Sequence, residues 1–135
     1  MINKSIQIRI DKAKLLIDLN ENKKAIACLT KCLDISSSNK RFEILYLMVF
    51  PNYKIGNYEE AIKLLKEIMK TKNDMEYVNG LGELLIKTEK HQEFIDIVNK
   101  IMKNESKPLK AMPLDIIYKY GECLFKVTEY LKAEQ

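Results

Sequence analysis

The sequence predicts an all-α protein built as an α-solenoid, with antiparallel helix pairs stacked in register. Three observations lead there. Gly and Pro are scarce while Lys, Leu, Ile and Glu abound, so helix is favoured before any pattern is consulted. Apolar residues recur at helical spacing in one stripe after another. The stripes then repeat: Ala25-Ile26, Leu29, Cys32-Leu33 has the internal spacing of Ala61-Ile62, Leu65, Ile68-Met69, and of Phe94-Ile95, Val98, Ile101-Met102. These sets lie 36 and then 33 residues apart, and Ala133 opens a further copy after a longer step. A mid-thirties period marks a stack of helical hairpins, because one hairpin cannot bury its apolar face alone.

Each element follows from local pattern. Residues 5–18 carry Ile6, Ile10, Ala13, Leu16 and Ile17 as a first helix, broken by Asn20-Glu21-Asn22. Residues 23–35 form the second. Ser36-Ser37-Ser38-Asn39 has low helix preference and good capping chemistry, which predicts a loop. A third helix spans Phe42 to Lys54, with a kink or an early stop near Phe50 because Pro51 lacks an N–H and crowds the preceding turn. Gly56 then turns the chain. Asn57 and Glu60 have the spacing of a capping box that opens the fourth helix, Asn57 to Lys70. Asn73 and Glu76 repeat that signature for a helix reaching Lys87. Thr88 to His91 reads as a turn, and Gln92 to Lys103 as a helix. Pro108 and Pro113 punctuate the longest connection. Asp115 to Lys126 is the next helix, and Thr128 is expected to cap a last short piece, Glu129 to Gln135.

Composition excludes several classes. At 135 residues the chain has one domain's worth of sequence. Its longest apolar run, Ile44 to Phe50, is far short of the roughly 20 residues a bilayer-spanning helix needs. The N-terminus mixes charges into its apolar residues and has no secretory apolar core. These features predict an intracellular protein of the cytoplasm or nucleus, with no membrane partner. The net charge of +4 is spread along the chain, with Lys residues beside Glu or Asp as on solvated helix faces. Three cysteines do not make a disulfide scaffold, and Cys28 with Cys32 lacks a second ligand pair for zinc. Cys32 occupies the slot of Ile68 and reads as a small buried hydrophobe. No cofactor motif, phosphate loop or metal pair is present, and the lone His91 reads as a packing or capping residue. The chain is therefore read as a non-enzyme.

The repeats resemble the tetratricopeptide repeat family, as about three and a half degenerate copies. The residues that carry the likeness are Gly56-Asn57-Tyr58-Glu59-Glu60-Ala61, Leu81-Gly82, and Tyr120-Gly121…Leu124 with Tyr130 and Ala133. Approximate units are 6–39, 42–74, 75–107 and a truncated 114–135, within one domain of residues 1–135. The sequence departs from the family in having no Trp, Ser37, Asn73 and Ser106 in place of the inter-repeat Pro, Phe94 where Ala is usual, and Lys12 where Leu is usual. The resemblance implies a right-handed superhelix. It also implies, from the short fourth copy, an N-terminal part of a longer protein, or an end covered by another subunit or by self-association.

The resemblance further implies a binding groove lined by the first helix of each unit, and hence an interaction scaffold or adaptor within a multi-subunit complex. The residues so placed are Gln7, Ile10, Lys14 and Ile17, then Glu43, Tyr46, Phe50, Tyr53 and Lys54. The later units place Glu76, Asn79, Glu83, Ile86 and Lys87, then Asp115, Tyr118, Glu122, Phe125 and Lys126. Tyrosine suits an interface because it buries area with little rotamer loss and keeps a polar tip. Phe50 and Phe125 could equally pack between units. Lys14, Phe50 and Glu83 stand where some family members clamp an acidic tail, and Glu83 would repel a carboxylate. A basic or amphipathic protein segment fits better. The alternative is a pentatricopeptide-like reader of single-stranded RNA, which Tyr77-Val78-Asn79 and Asn99-Lys100-Ile101-Met102 faintly resemble; the uneven 36 and 33 steps disfavour it.

Overall fold

The computed structural model describes residues 2–36, 38–72 and 74–134. Among them are seven α-helices and one 3-10 turn, with no strand. The helices are α1 (Ile2–Asp18), α2 (Asn22–Ile35), α3 (Ser38–Lys54), α4 (Tyr58–Met69), α5 (Met75–Lys87), α6 (His91–Asn104) and α7 (Leu114–Ala133), the 3-10 turn being Leu109–Ala111. They fall into two compact units, Met1–Lys72 and Asn73–Gln135. In the first, α1 pairs with α2 and α3 with α4, and α2 packs on α3. In the second, α5 pairs with α6, and α7 packs on both.

One turn is used three times to make the hairpins. At Asn20, Gly56 and Glu89 the backbone enters the left-handed region, at φ of 61°, 82° and 60°. In each case the next N–H reaches back across the helix end: Glu21 donates to the Leu16 carbonyl at 2.8 Å, Asn57 to Asn52 at 2.8 Å and Lys90 to Leu85 at 2.7 Å. This is the Schellman closure, which satisfies carbonyls that a helix end leaves unpaired. The three turns are spaced 36 and 33 residues apart, the period of the apolar stripes. Ser106 closes α6 in the same way, Lys107 donating to Met102 at 2.9 Å.

That closure overturns the capping box at Asn57. Asn57 is the N-cap of α4 by position, but no side-chain capping bond forms. A capping box needs the Asn57 N–H for Glu60, and that N–H is already spent on the Asn52 carbonyl. The Asn57 amide instead donates to Asn52 Oδ1 at 3.2 Å, and the buried Asn52 amide donates to the Met48 carbonyl at 2.8 Å. The second expected box, Asn73 with Glu76, falls on Asn73, which lies outside the described residues; Asp74 stands at the N-cap of α5 and makes no side-chain capping bond.

Three boundaries differ from expectation. α3 begins at Ser38, inside the stretch expected to be loop, and Ser37 lies outside the described residues. α3 does not stop at Phe50 but continues through Pro51 to Lys54. Pro51 sits in the closing turn, where only the bond to the Leu47 carbonyl is lost, and its ring is buried. At the other end α7 is one helix from Leu114 to Ala133, so Thr128 caps nothing. Its hydroxyl donates to the Leu124 carbonyl at 2.8 Å, which satisfies it inside the helix. The last residue, Gln135, lies outside the described residues.

The repeating stripes are the core. Ala25, Leu29 and Cys32, then Ala61, Leu65 and Ile68, then Phe94, Val98 and Ile101 are all buried. Facing helices contribute Ile6, Ile10 and Ala13, Ile44 and Leu45, and Leu81, Leu84 and Leu85. Phe94 fits where its register equivalents are alanine because α5 offers Gly82. A Cβ on Gly82 would lie 2.7 Å from Phe94 Cε1. The large residue and the missing side chain compensate. Cys32 is fully buried as expected, and burial first, then the neighbouring Cys28, pushes its thiol pKa up.

Candidate functional site

The predicted site residues separate into two sets. In the first unit, Lys14 Nζ lies 3.5 Å from Glu43 Oε1, joining α1 to α3. Lys40 completes that link, donating to Gln7 Oε1 at 2.7 Å and lying 3.6 Å from Glu43. Tyr46, Phe50 and Tyr53 follow one another at i, i+4 and i+7 along α3, but they do not present one surface. Tyr46 and Phe50 are exposed, whereas the half-buried Tyr53 ring turns toward Tyr58 of α4, with centroids 5.6 Å apart. The Lys54 ammonium sits 5.6 Å from the Phe50 ring centroid, within cation–π range. Ile10, expected to face a ligand, is fully buried in the core, and Ile17 is half-buried.

In the second unit the structure does gather predicted residues. Glu83 and Ile86 on α5 and Asp115, Tyr118, Lys119 and Glu122 on α7 line a shallow recess of about 430 Å³. Helical spacing accounts for this: 83 and 86, like 115, 118, 119 and 122, are three or four apart and so share a face. Three carboxylates meet one ammonium there, and that ammonium is drawn aside, Lys119 Nζ donating to Asn79 Oδ1 at 2.7 Å. Tyr118 is exposed at the mouth. The recess is thus acidic with an aromatic wall. Lys87, Phe125 and Lys126 are exposed but do not line it, and Asn79 is half-buried beneath Lys119.

A second recess escapes a reading of the linear sequence. Between α1 and α2, Arg9, Lys12, Leu16, Lys24, Ala27, Cys28 and Lys31 line about 450 Å³ with four cations and no carboxylate. In the chain these cations alternate with acids, and the composition reads as evenly mixed. A helical projection is the signal that finds them, since Arg9 and Lys12 share one face and Lys24, Cys28 and Lys31 another. The half-buried Cys28 thiol donates to the Arg9 carbonyl at 3.4 Å and ties the two helices together there.

His91 is not in a turn. It is the first residue of α6, buried, with its ring centroid 6.1 Å from that of Tyr130 on α7. That is a packing position. Among the described residues no helix is long and apolar enough to cross a membrane, and no group of His, Cys, Asp and Glu side chains could hold a metal.

The fold defines an all-helical repeat protein made of hairpins closed by one recurring turn. Residues 6–39 match the family model of the tetratricopeptide repeat, and the chain carries the fold of tetratricopeptide repeat proteins. The C-terminal TPR-containing domain of a Plasmodium falciparum FK506-binding protein superposes with a TM-score of 0.68 at 19% identity, covering 98% of this chain and 96% of that one. YrrB, a TPR protein with an unusual peptide-binding site, gives 0.64 at 19% identity over 92% of this chain and 64% of its own. MamA gives 0.62 at 16% identity, over 94% and 81%. No curated protein sequence matches the chain.

Proposed function

We infer that this chain is a non-catalytic interaction module, a scaffold or adaptor that binds a basic or amphipathic segment of a protein partner at the acidic recess of α5 and α7. The observation that carries the reading is the recess itself, where Glu83, Asp115 and Glu122 surround Tyr118 while Asn79 draws the only lining cation away. An arginine or lysine stem can lie on the tyrosine ring with its charge among the carboxylates. The peptide-binding site of YrrB, on the same fold, supports the class of function. Glu59, Glu60 and Lys63 on α4 stay solvated helix-face residues in this reading, as does Lys126 on α7. Glu83→Lys and Glu122→Lys, singly and together, are expected to weaken binding of a basic amphipathic peptide by 10-fold or more, about 1.4 kcal/mol. Fluorescence anisotropy reads this directly, and an unchanged affinity removes the recess from the account.

A second reading draws on the other recess. Arg9, Lys12, Lys24 and Lys31 could hold the phosphates of single-stranded RNA. Binding of this kind falls steeply with salt, roughly in proportion to the number of phosphates neutralised. A salt titration against a pool of single-stranded RNA separates the two, since a peptide seated on Tyr118 retains its apolar contacts.

A further inference from the structure

The first unit carries a concentration of positive charge that its own acids leave almost untouched. Arg9 and Lys12 on α1 and Lys24 and Lys31 on α2 line the recess of about 450 Å³ together with Leu16 and Ala27. Of the four cations only Lys24 has an acid within reach among the described residues, Glu21 at 4.0 Å, with side chains 72% and 52% exposed. A pair so exposed contributes little. The antiparallel α2 brings Cys28 and Lys31 back alongside Arg9, where the Cys28 thiol donates to the Arg9 carbonyl.

An apolar ridge runs along the same edge. Ile8, Lys12, Leu15 and Leu19 follow at steps of four, three and four residues, so they form one line on α1. Ile8, Leu15 and Leu19 are 62%, 63% and 72% exposed, while Ile6, Ile10 and Ala13 fill the buried face of the same helix. Lys12 stands within this ridge and also lines the recess, which joins the two. Neither α1 nor α2 contains an aromatic residue.

We propose that the α1–α2 recess and its ridge form a second docking site, which takes an acidic segment of a protein partner carrying Asp or Glu beside Leu or Ile. Charge complementarity sets the sign, since the lining holds four cations and no carboxylate. Lys24 and Lys31 lie seven residues apart, about 10 Å along α2, which matches carboxylates two turns apart on a helical segment. The ridge sets the rest of the chemistry. A bare polyanion leaves Ile8, Leu15 and Leu19 in water, whereas aliphatic side chains next to the carboxylates cover them.

RNA is the poorer occupant of this site. Proteins hold single strands on aromatic rings against which the bases stack, and α1 and α2 offer none. The site belongs to the first unit, whereas the acidic recess of α5 and α7 belongs to the second and has the opposite sign. The chain is then an adaptor with two docking sites that accept oppositely charged segments. This second site stands whether or not the acidic recess binds a basic peptide.

Fluorescence anisotropy of the full chain with three labelled probes tests it: a helical peptide with Glu and Leu along one face, the same peptide with Ser for each Leu, and oligouridylate. The Glu/Leu peptide is expected to bind tightest. Lys12→Glu with Lys31→Glu should weaken it about 10-fold or more, and Leu15→Ser with Leu19→Ser should weaken it while leaving the Ser peptide unchanged. These side chains are exposed, so the helical signal and melting transition should hold in both variants. Glu83→Lys should bind the Glu/Leu peptide as the wild type does, which separates this site from the acidic recess. Bound peptide should also slow alkylation of Cys28, which lines the recess, and the Lys12→Glu, Lys31→Glu chain should lose that protection. Absence of binding at near-millimolar chain overturns the proposal, as does an affinity that survives the two charge reversals. Equal affinity for the Ser peptide removes the ridge and overturns it too, and tighter binding of oligouridylate gives the recess to RNA instead.

Discussion

Replacing Gly82 with alanine asks how tightly α5 and α6 are matched. The added methyl would sit 2.7 Å from Phe94 Cε1, 2.8 Å from Cζ and 3.1 Å from Lys119 Cδ. Carbon atoms in contact prefer about 3.5–4.0 Å, so the ring must retreat by about 1 Å. Phe94 is fully buried and has no solvent to swing into. Overpacking of this kind costs about 1–3 kcal/mol, and the better helix propensity of alanine returns about 1 kcal/mol. A net loss of up to about 2 kcal/mol is expected. In a Phe94→Ala background the sign should reverse. That change alone costs about 3–5 kcal/mol through its cavity, but it opens the space Gly82→Ala needs. The alanine then gains its helix propensity of about 1 kcal/mol without a clash, which gives a coupling of about 1–3 kcal/mol in a double-mutant cycle. Urea unfolding followed by far-UV circular dichroism measures all four corners. Because the chain has two compact units, the transition to follow is the one that Phe94→Ala shifts. An alanine that changes stability by the same amount and sign in both backgrounds would refute the compensation of Phe94 by Gly82.

Three further outcomes follow from the turns and the thiols. Glu89 holds φ at 60°, where a side chain costs about 1 kcal/mol, so Glu89→Gly should raise the stability of the second unit by up to that amount in the same urea experiment; a loss would mean that Glu89 contributes more than its backbone. Cys123 is fully buried, and burial first, then the Glu122 carboxylate, raises its thiol to about 11 from 9.0. The raised value means that the unfolded chain loses this proton first, so stability is intact below pH 9 and falls as pH rises toward 11, by up to about 2–3 kcal/mol. A Cys123→Ala variant should show a flatter decline in that window. Native alkylation should mark Cys28 first and leave Cys32 and Cys123 unmodified until unfolding; early labelling of Cys123 would contradict its burial.

How much could be read from residue order differs sharply between elements. The stripes at Ala25, Ala61 and Phe94 were legible because a helix writes its buried face into the chain every three or four residues. The turn at Gly56 was legible because glycine advertises a left-handed backbone. Asn20 and Glu89 adopt the same conformation without that advertisement; for Glu89, the hairpin it joins holds it there. The capping box at Asn57 failed because two motifs compete for one N–H, and the winner was set by the shortness of the turn. Thr128 looked like a cap, yet it satisfied its hydroxyl on the carbonyl one turn back. In the candidate site, Glu83, Tyr118 and Glu122 were named from the chain alone, but not that Lys119 would be withdrawn by Asn79.

Sequence alone determined the helices, their period and the residues of each apolar stripe, since those depend on neighbours within one turn. Tertiary packing decided everything that depends on which faces meet. It placed Ile10 inside, made Phe94 possible through Gly82, and gathered Arg9, Lys12, Lys24 and Lys31 from a chain whose charges look mixed. It also left Gly121 bare where Gly82 is filled. The physical reason is range: helix propensity and periodicity act over a few residues, whereas burial and the summing of charge act through space between segments that the chain order keeps apart.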